Sequence, residues 1–373
     1  MSISGEREVL LALVDALRDP DSLVRSNAAY ALANLDFFRD MLVIDPYDGM
    51  KASPIIHPES HPLREIGELA APALVDALQD DYMFLRINAL HALEIFSPYA
   101  VDAVGVLIEV LSDEIGDVRK HAATVLGMLG PGAGESVPAL IGLLNDEIDE
   151  VRSTALAALG RIGPAANQSE PLLLQALQDE ITDVRKCAAM ALAKIDPDRE
   201  RVVPELIKAM QSDAEPEVRH CAVIAMQRIG IESDPVLQAV VGLLDDDDLW
   251  IRSSAMDVLR KQDLDDELRS RIVPALIKEL GRPDNRLRHE ALMLLAKIGP
   301  QAASAVPAIM EFLTGDEREI RFWSVFALGK IGPPASGAIH ELVELMNYDE
   351  DAEVRKAAQS ALHQIFYPPK KPH

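Results

Sequence analysis

Apolar residues recur at helical spacing in ten segments of the chain, and each segment opens with an aliphatic residue followed by arginine. Counting from that arginine, the third residue is Ala or Ser and the seventh is Leu or Met. The tenth is Leu, Ile or Phe in nine of the ten segments. Positions three, seven and ten share one face of an α-helix. The pattern therefore predicts ten helices, each with one buried stripe and a small residue where helices approach closely.

The arginines that open these helices are regularly spaced. After a first gap of 61 residues, successive arginines lie 33 to 36 residues apart. A period of this length is typical of a helical solenoid, in which each hairpin contacts only its neighbours. A chain of 373 residues can then form one extended array without separate globular cores. The arginines are Arg25, Arg86, Arg119, Arg152, Arg185, Arg219, Arg252, Arg288, Arg321 and Arg355.

The segment 136–163 shows how one repeat is built. Apolar residues at helical spacing follow Val137, and Pro138 stands in the first turn, where its missing N–H costs little. This predicts a first helix, helix A. An acidic turn follows, and helix B is expected from about residue 150 to residue 162, where Gly163-Pro164 stops it.

An aspartate stands six residues before the arginine in eight of the ten repeats. We interpret these aspartates and arginines as a ladder of ion pairs between neighbouring repeats, which also satisfies the amides of the turn. Under this interpretation the arginines set the register and are not a row of anion sites. The ladder is expected to include Arg119, Arg152, Arg185, Asp113, Asp146 and Asp179.

Composition narrows the class of protein. Aromatic residues are 4% of the chain and the net charge is -25, so we expect an all-α fold and no nucleic-acid partner. We expect no apolar stretch to approach the roughly 18 residues of a membrane span, and charges interrupt the first residues. We therefore expect a cytoplasmic protein that does not contact a membrane.

The repeats resemble HEAT repeats, specifically the short HEAT-like repeats of the phycobilisome lyase type. The resemblance lies in the VPALI openings at 137–141 and 273–277, the turn aspartate, the Val-Arg pair and the Leu-Gly-x-Ile-Gly-Pro endings at 159–164 and 328–333. It implies a right-handed α-solenoid of about ten HEAT-like hairpins with one long inserted loop. The resemblance leaves function open, because the family includes bilin lyase subunits and chaperones, iron hydroxylases and scaffolds.

The iron hydroxylases of this fold carry several His-Glu pairs directly after the repeat arginine. Here Arg288-His289-Glu290 is the one match, and one pair cannot build that site. His340-Glu341 falls in a helix A. We therefore expect no catalytic residue, no metal and no cofactor.

The boundaries follow from the spacing. Residues 1–38 form the first repeat, 39–66 an inserted loop, 67–367 repeats two to ten, and 368–373 a disordered tail. The inserted loop is either a partner-binding flap or a species-specific loop. Its His57, Glu59 and His61 have side chains that bind metals, but the flanking prolines favour a solvated loop.

Positions one, five and nine after the arginine lie opposite the core stripe, on the side that HEAT-like stacks turn to the concave face. Position nine is basic in six successive repeats, and positions one and five hold several apolar residues. The cations either favour the helix C-terminus or form a groove for an acidic partner. The predicted partner-binding residues are Arg161, Lys194, Ile224, Arg228, Lys261, Met293, Lys297, Phe322, Phe326 and Lys330.

The sequence thus favours a non-enzymatic scaffold or adaptor whose concave groove holds an acidic or mixed protein segment. The alternative is a subunit or chaperone of the phycobilisome lyase kind, which would handle a tetrapyrrole chromophore.

Overall fold

A computed structural model describes residues 3–34, 64–230, 234–284 and 286–368. Within these residues the chain forms α-helices, short 3₁₀ helices and turns, without strands. It divides into two compact units, Met1–Ala209 with Ile224–Ile229, and Met210–Val223 with Gly230–His373. Most of the inserted loop predicted at 39–66, including His57, Glu59 and His61, lies outside the described residues, as do residues 369–373 of the predicted tail.

Both units consist of helical hairpins in which a helix A precedes a helix B. The helices of the first unit are α1 (Ile3–Ala16), α2 (Ser22–Ala33), α3 (Arg64–Asp76), α4 (Met83–Ile95), α5 (Val104–Val110), α6 (Gly116–Leu129), α7 (Val137–Gly142), α8 (Asp149–Ile162), α9 (Glu170–Ala176), α10 (Thr182–Leu192) and α11 (Arg199–Ser212). Helix α11 has its last three residues in the second unit, and helix α12 (Pro216–Ile229) contributes residues to both units. Those of the second unit are α13 (Asp234–Gly242), α14 (Leu249–Lys261), α15 (Asp266–Leu280), α16 (Arg288–Ile298), α17 (Val306–Met310), α18 (Arg318–Ile331), α19 (Ile339–Tyr348) and α20 (Ala352–Phe366).

The hairpin of α7 and α8 confirms the predicted repeat. Helix α7 has its proline in the first turn and passes through a 3₁₀ turn at Leu143–Asn145. Helix α8 begins with Asp149 and Glu150, whose carboxylates favour the positive end of the helix dipole. It ends where Gly163 adopts φ 78°, a conformation that residues with a Cβ rarely adopt.

The predicted core stripe is buried. In α8, Ala155, Leu159 and Ile162 at positions three, seven and ten have no exposed surface. The alanine lets the neighbouring helices come close, and the two larger side chains fill the space between hairpins. Burial of this stripe holds each helix B in the stack, since an isolated helix of this length would be marginal in water.

The arginine of each helix B links its own turn to the turn of the next hairpin. Arg119 donates from Nη1 to the carbonyl oxygen of Asp113, 2.8 Å away in its own repeat. From Nε and Nη2 it donates to both carboxylate oxygens of Asp146 in the next repeat, at 2.7 and 2.8 Å. The Asp146 carboxylate also accepts the amide N–H of Ile148 at 3.0 Å. One arginine therefore fixes two turns against each other.

The other rungs in the first unit follow the same geometry. The arginine meets the aspartate 27 residues or more further along, and its Nη1 binds the carbonyl of its own turn. The pairs are Arg25 with Asp80, Arg86 with Asp113, and Arg152 with Asp179. Arg185 donates to the carbonyl oxygen of Asp179 at 2.9 Å.

In the second unit the ladder changes where the sequence lacks the turn aspartate. Arg219 pairs with Asp246 and Arg321 with Asp349 in the usual way. Arg252 instead donates to Glu279 of α15 at 2.9 Å, and both side chains are buried. Arg288 donates to two backbone carbonyls, with its guanidinium 5.0 Å from the ring centroid of Phe312.

Glycines mark the closest contacts between successive helices B. A Cβ added to Gly160 would lie 2.9 Å from the Ala191 Cα, and one added to Gly329 would lie 2.9 Å from the Ala361 Cα. These distances are too short for a side chain unless the backbone moves. The helices can therefore approach this closely only because both partners are small.

One described segment, Arg288–Met310, is long and apolar enough to cross a membrane, with a mean hydropathy of 1.3, which corrects the expectation that no such stretch exists. It is not one straight α-helix, because α16 ends at Ile298, the next residue Gly299 has φ 71°, and α17 begins only at Val306. Within the protein, 56% of its most apolar window is buried. Its apolar residues therefore contribute to the core of the second unit.

The ladder predicts that loss of a ladder arginine lowers the free energy of unfolding more than loss of an arginine in an exposed ion pair. We expect R119A to lower the free energy of unfolding by about 2 to 4 kcal/mol, because it leaves the carboxylate of Asp146, 7% exposed, without its charged partner. The matched control R318A removes an ion pair with Asp351 whose arginine is 60% exposed, and should cost less than about 1 kcal/mol. Urea denaturation followed by circular dichroism measures both. Equal losses would contradict the ladder's role in stability.

The ladder also predicts a pH dependence. Burial raises the pKa of Asp146, but the hydrogen bonds from Arg119 and the Ile148 amide, with the charge of Arg119, lower it below its ordinary value of 3.8. The stabilisation by the ionised carboxylate is therefore complete above that value and is lost as the pH falls toward the lower pKa of the folded state. We expect the difference in unfolding free energy between the natural protein and D146N to be constant at neutral pH and to shrink near pH 3. A difference that grows on acidification would refute this assignment.

The surroundings of two glycines predict opposite changes in stability when each glycine is replaced by alanine. G160A should lower the free energy of unfolding by about 1 to 3 kcal/mol, because the new methyl group would meet the Ala191 backbone. G105A is the matched control, since nothing lies within 4 Å of a Cβ at Gly105, and it should raise stability by up to about 1 kcal/mol. Thermal denaturation of the two variants gives the sign directly.

Candidate functional site

The residues predicted to bind a partner are distributed over both units. Four lie in the first unit: Arg161, Lys194, Ile224 and Arg228. The other six lie in the second unit: Lys261, Met293, Lys297, Phe322, Phe326 and Lys330. The second unit gathers three of its members on helix α18, and there they form a continuous surface.

Helix α18 presents Phe322, Phe326 and Lys330 at intervals of four residues, which places them on one side of the helix. The two phenylalanine rings are stacked with their centroids 6.4 Å apart. The Lys330 Nζ lies 5.2 Å from the Phe326 ring centroid, within the range of a cation–π interaction. Trp323 contacts both rings edge-on, and its ring centroid lies 5.4 Å from that of Phe322 and 5.5 Å from that of Phe326. The aromatic side chains thus hold one another in place.

A cavity of about 200 Å³ lies between this side of α18 and helix α20. On the α18 side, Phe322, Phe326 and Gly329 line it. The α20 side is formed by Glu353, Lys356, Ala357, Ser360, Ala361 and Gln364. The cavity exists because two large rings face small side chains of α20, while Gly329 keeps the helices close at one end. We call Phe322, Phe326, Lys330 and Lys356 the aromatic–basic surface.

The charges of this surface are accessible. The side chains of Lys330 and Lys356 are exposed, and the two phenylalanines are partly exposed. Glu353, which also lines the cavity, is exposed and adds one negative charge. The surface can therefore offer an apolar recess flanked by two ammonium groups.

Lys297 takes the first of the two roles that the sequence leaves open for these cations, at the C-terminal end of a helix. Its Nζ donates to the carbonyl oxygens of Arg260 at 2.6 Å, of Gln262, and of Leu259 at 3.5 Å, at the C-terminal end of α14. Burial lowers the pKa of Lys297. The ammonium group is thus committed to the helix end, which is the structural alternative considered for these lysines.

The remaining predicted residues are less concentrated. Lys261 is exposed and pairs with Asp257 at 2.5 Å on its own helix, and Met293 is partly buried. In the first unit, Arg228 is exposed, while Arg161, Lys194 and Ile224 are partly buried. These residues do not surround a described cavity of the kind beside α18.

Sequence reasoning missed two features. Trp323 packs against both phenylalanines of the aromatic–basic surface, and the run Phe322-Trp323 in a chain with only two tryptophans was the available signal. In the first unit, His91, Glu94 and His121 form a cluster of the kind that can hold a metal ion. The cluster joins different positions of two repeats, so counting equivalent positions did not bring it together.

Comparison with known proteins agrees with this architecture. The family model for HEAT repeats matches residues 104–170, 137–202, 170–260 and 273–363, which together exceed half of the chain. No curated protein sequence matches the chain.

Solved structures extend the likeness over nearly the whole chain. An engineered protein is 25% identical to this chain and has a TM-score of 0.58. The match covers 96% of this chain and 98% of the engineered protein. Importin beta, at 16% identity and a TM-score of 0.56, covers 96% of this chain, which spans 51% of importin beta. A structure of Kap95p, from work on its binding to RanGDP, is 16% identical to this chain and has a TM-score of 0.55. The match covers 96% of this chain and 52% of the Kap95p chain.

The ladder, the buried stripe and the family match lead to the same assignment. The chain belongs to the HEAT repeat family and has the all-α solenoid fold of that family.

Proposed function

We propose that the protein is a non-enzymatic interaction scaffold and that its aromatic–basic surface binds an acidic protein segment with one apolar anchor residue. The cavity between α18 and α20, with exposed Lys330 and Lys356 beside it, is the observation that carries this proposal. HEAT and armadillo repeats commonly serve as interaction scaffolds. A Kap95p chain of the same fold binds RanGDP, which supports a protein partner.

The size of the cavity favours a side chain over a cofactor. Its volume of about 200 Å³ is below the roughly 300 to 1,000 Å³ of typical small-molecule pockets. A single aliphatic or aromatic side chain of a bound segment matches such a recess, and the stacked phenylalanines supply its apolar wall. The tetrapyrrole alternative stays a prediction that this cavity does not favour.

The charges nearest the cavity determine whether an acidic or a basic partner binds. The chain has a net charge of -25, so at long range it repels an acidic partner. At physiological salt the Debye length is only about 8 Å, and the nearest charges then decide the contact. Two ammonium groups beside an apolar recess select carboxylates that flank an apolar anchor.

Rigid aromatic side chains are suited to this use. The three rings of α18 contact one another before any partner binds, so little side-chain entropy remains to be lost. Aromatic residues at the centre of an interface commonly contribute most of its binding free energy. We therefore expect Phe326 to dominate the affinity and the lysines to set specificity.

The test begins with selection of a random peptide library on the purified full-length protein. We expect the enriched peptides to carry one large apolar residue flanked by Asp or Glu. Fluorescence polarisation should then show that F326A weakens binding of an enriched peptide by about 30-fold or more, since a central aromatic anchor contributes about 2 kcal/mol. K330E should weaken it by about 5- to 10-fold, and this loss should diminish at high salt.

The matched controls are exposed residues of the same types in the same unit. F366A removes an exposed phenylalanine of α20 outside the cavity, and K278E reverses an exposed lysine that pairs with Asp245. Both should leave the affinity unchanged, and circular dichroism should show all four variants folded. Equal affinities of F326A and F366A, or enriched peptides without acidic residues, would refute the proposed surface.

A further inference from the structure

Two histidines and a glutamate meet on the first unit, away from the aromatic–basic surface. His91 and Glu94 lie three residues apart on α4, and His121 lies on α6 of the next hairpin. The Nε2 atoms of His91 and His121 are 2.9 Å apart. The Nδ1 of His121 is 2.7 Å from the Oε1 of Glu94. One potential ligand atom from each residue lies within 4.8 Å of the others.

The two histidines share a hydrogen bond between their Nε2 atoms. The ring centroids are 4.0 Å apart and the ring planes are inclined at 87°. One of the two nitrogens carries the shared proton, so a metal ion that binds both Nε2 atoms replaces this proton.

Glu94 determines which nitrogen of His121 can bind a metal. A carboxylate can only accept from Nδ1–H, so the neutral His121 ring carries its proton on Nδ1. The lone pair is then on Nε2, the nitrogen that faces His91. A carboxylate behind a histidine ligand is the usual means by which proteins orient the ring and raise its basicity.

The scaffold around the cluster is rigid. Both helices are core helices of the stack, and Ala92 and Ala122, which directly follow the two histidines, are fully buried. The neighbouring Asn88 of α4 is bound to Ser26 in the preceding hairpin at 3.0 Å. The side chains of His121 and Glu94 remain 18% and 12% exposed, so an ion can reach them. Ligands on packed helices are held closer to a fixed geometry than ligands on loops.

We propose that His91 and His121 bind a divalent first-row transition metal through their Nε2 atoms, with Glu94 as a positioning residue behind His121. Imidazole nitrogens suit zinc, copper and nickel better than magnesium or calcium, and zinc is the first probe. Water completes the coordination. The bound ion joins the second and third hairpins. This site does not depend on the proposed binding of a protein segment.

The test uses the full-length protein, stripped with a chelator and titrated with ZnCl₂ against a chromophoric competitor. We expect one zinc ion to bind at this site, with two imidazole nitrogens at about 2.0 to 2.1 Å in X-ray absorption spectra. E94Q should lower the affinity by about 10- to 100-fold, and H91A and H121A should each lower it further. E94D, which keeps the carboxylate, should recover part of the loss. Zinc should raise the melting temperature of the natural protein and not that of H91A.

Two controls separate this site from other histidines. H340A changes an exposed histidine of α19 and should leave zinc affinity unchanged. H57A/H61A removes the histidines of the HPESHP segment and should also retain binding. Loss of zinc binding in H57A/H61A, or unchanged binding in folded H91A and H121A, would overturn the proposal. So would a spectrum with fewer than two imidazole ligands.

Discussion

The ion pair between the arginine of one helix B and the aspartate of the next turn is the interaction on which the repeat stack depends. Each guanidinium binds the carbonyl of its own turn and the carboxylate of the following one, as Arg119 does with Asp113 and Asp146. The same carboxylate accepts a turn amide. One pair therefore satisfies polar groups of two turns and fixes the register of one hairpin on the next. Such charged hydrogen bonds are the stronger kind in proteins.

The second unit shows which part of this link is essential. Where the turn aspartate is replaced by Arg282, the buried carboxylate of Glu279 accepts from Arg252 instead, now from a helix rather than a turn. Where the next aspartate is replaced by Gly315, Arg288 is accommodated by backbone carbonyls and the face of Phe312. The arginine is retained at both places and its partner changes. A buried guanidinium thus needs hydrogen-bond acceptors, but these acceptors can come from a turn, a helix or the backbone.

The fold could be predicted from sequence because its determinants repeat. The stripe at Ala155, Leu159 and Ile162 follows from helical periodicity, and the stop at Gly163 follows from local backbone preference. The surface sites could not be predicted in the same way. Counting from the arginine found Phe326 and Lys330 but gave Lys297 the same role, because the spacing does not reveal that its ammonium group reaches the end of α14. The cluster of His91 and His121 combines two different positions, which only the packing of adjacent helices brings together.

The repeat positions divide into those that the stack requires and those that it leaves open. The stripe at positions three, seven and ten is buried in the core, and the arginine with its turn aspartate forms the ladder. Several residues at positions two, five and nine contact an adjacent helix B, as His121 and Lys297 do, and take no part in the stripe or the ladder. In the first unit these positions bring His121 to His91; in the second they hold Phe326 and Lys330. Since each hairpin contacts only its neighbours, a site needs only two adjacent helices, and one solenoid can carry several independent sites.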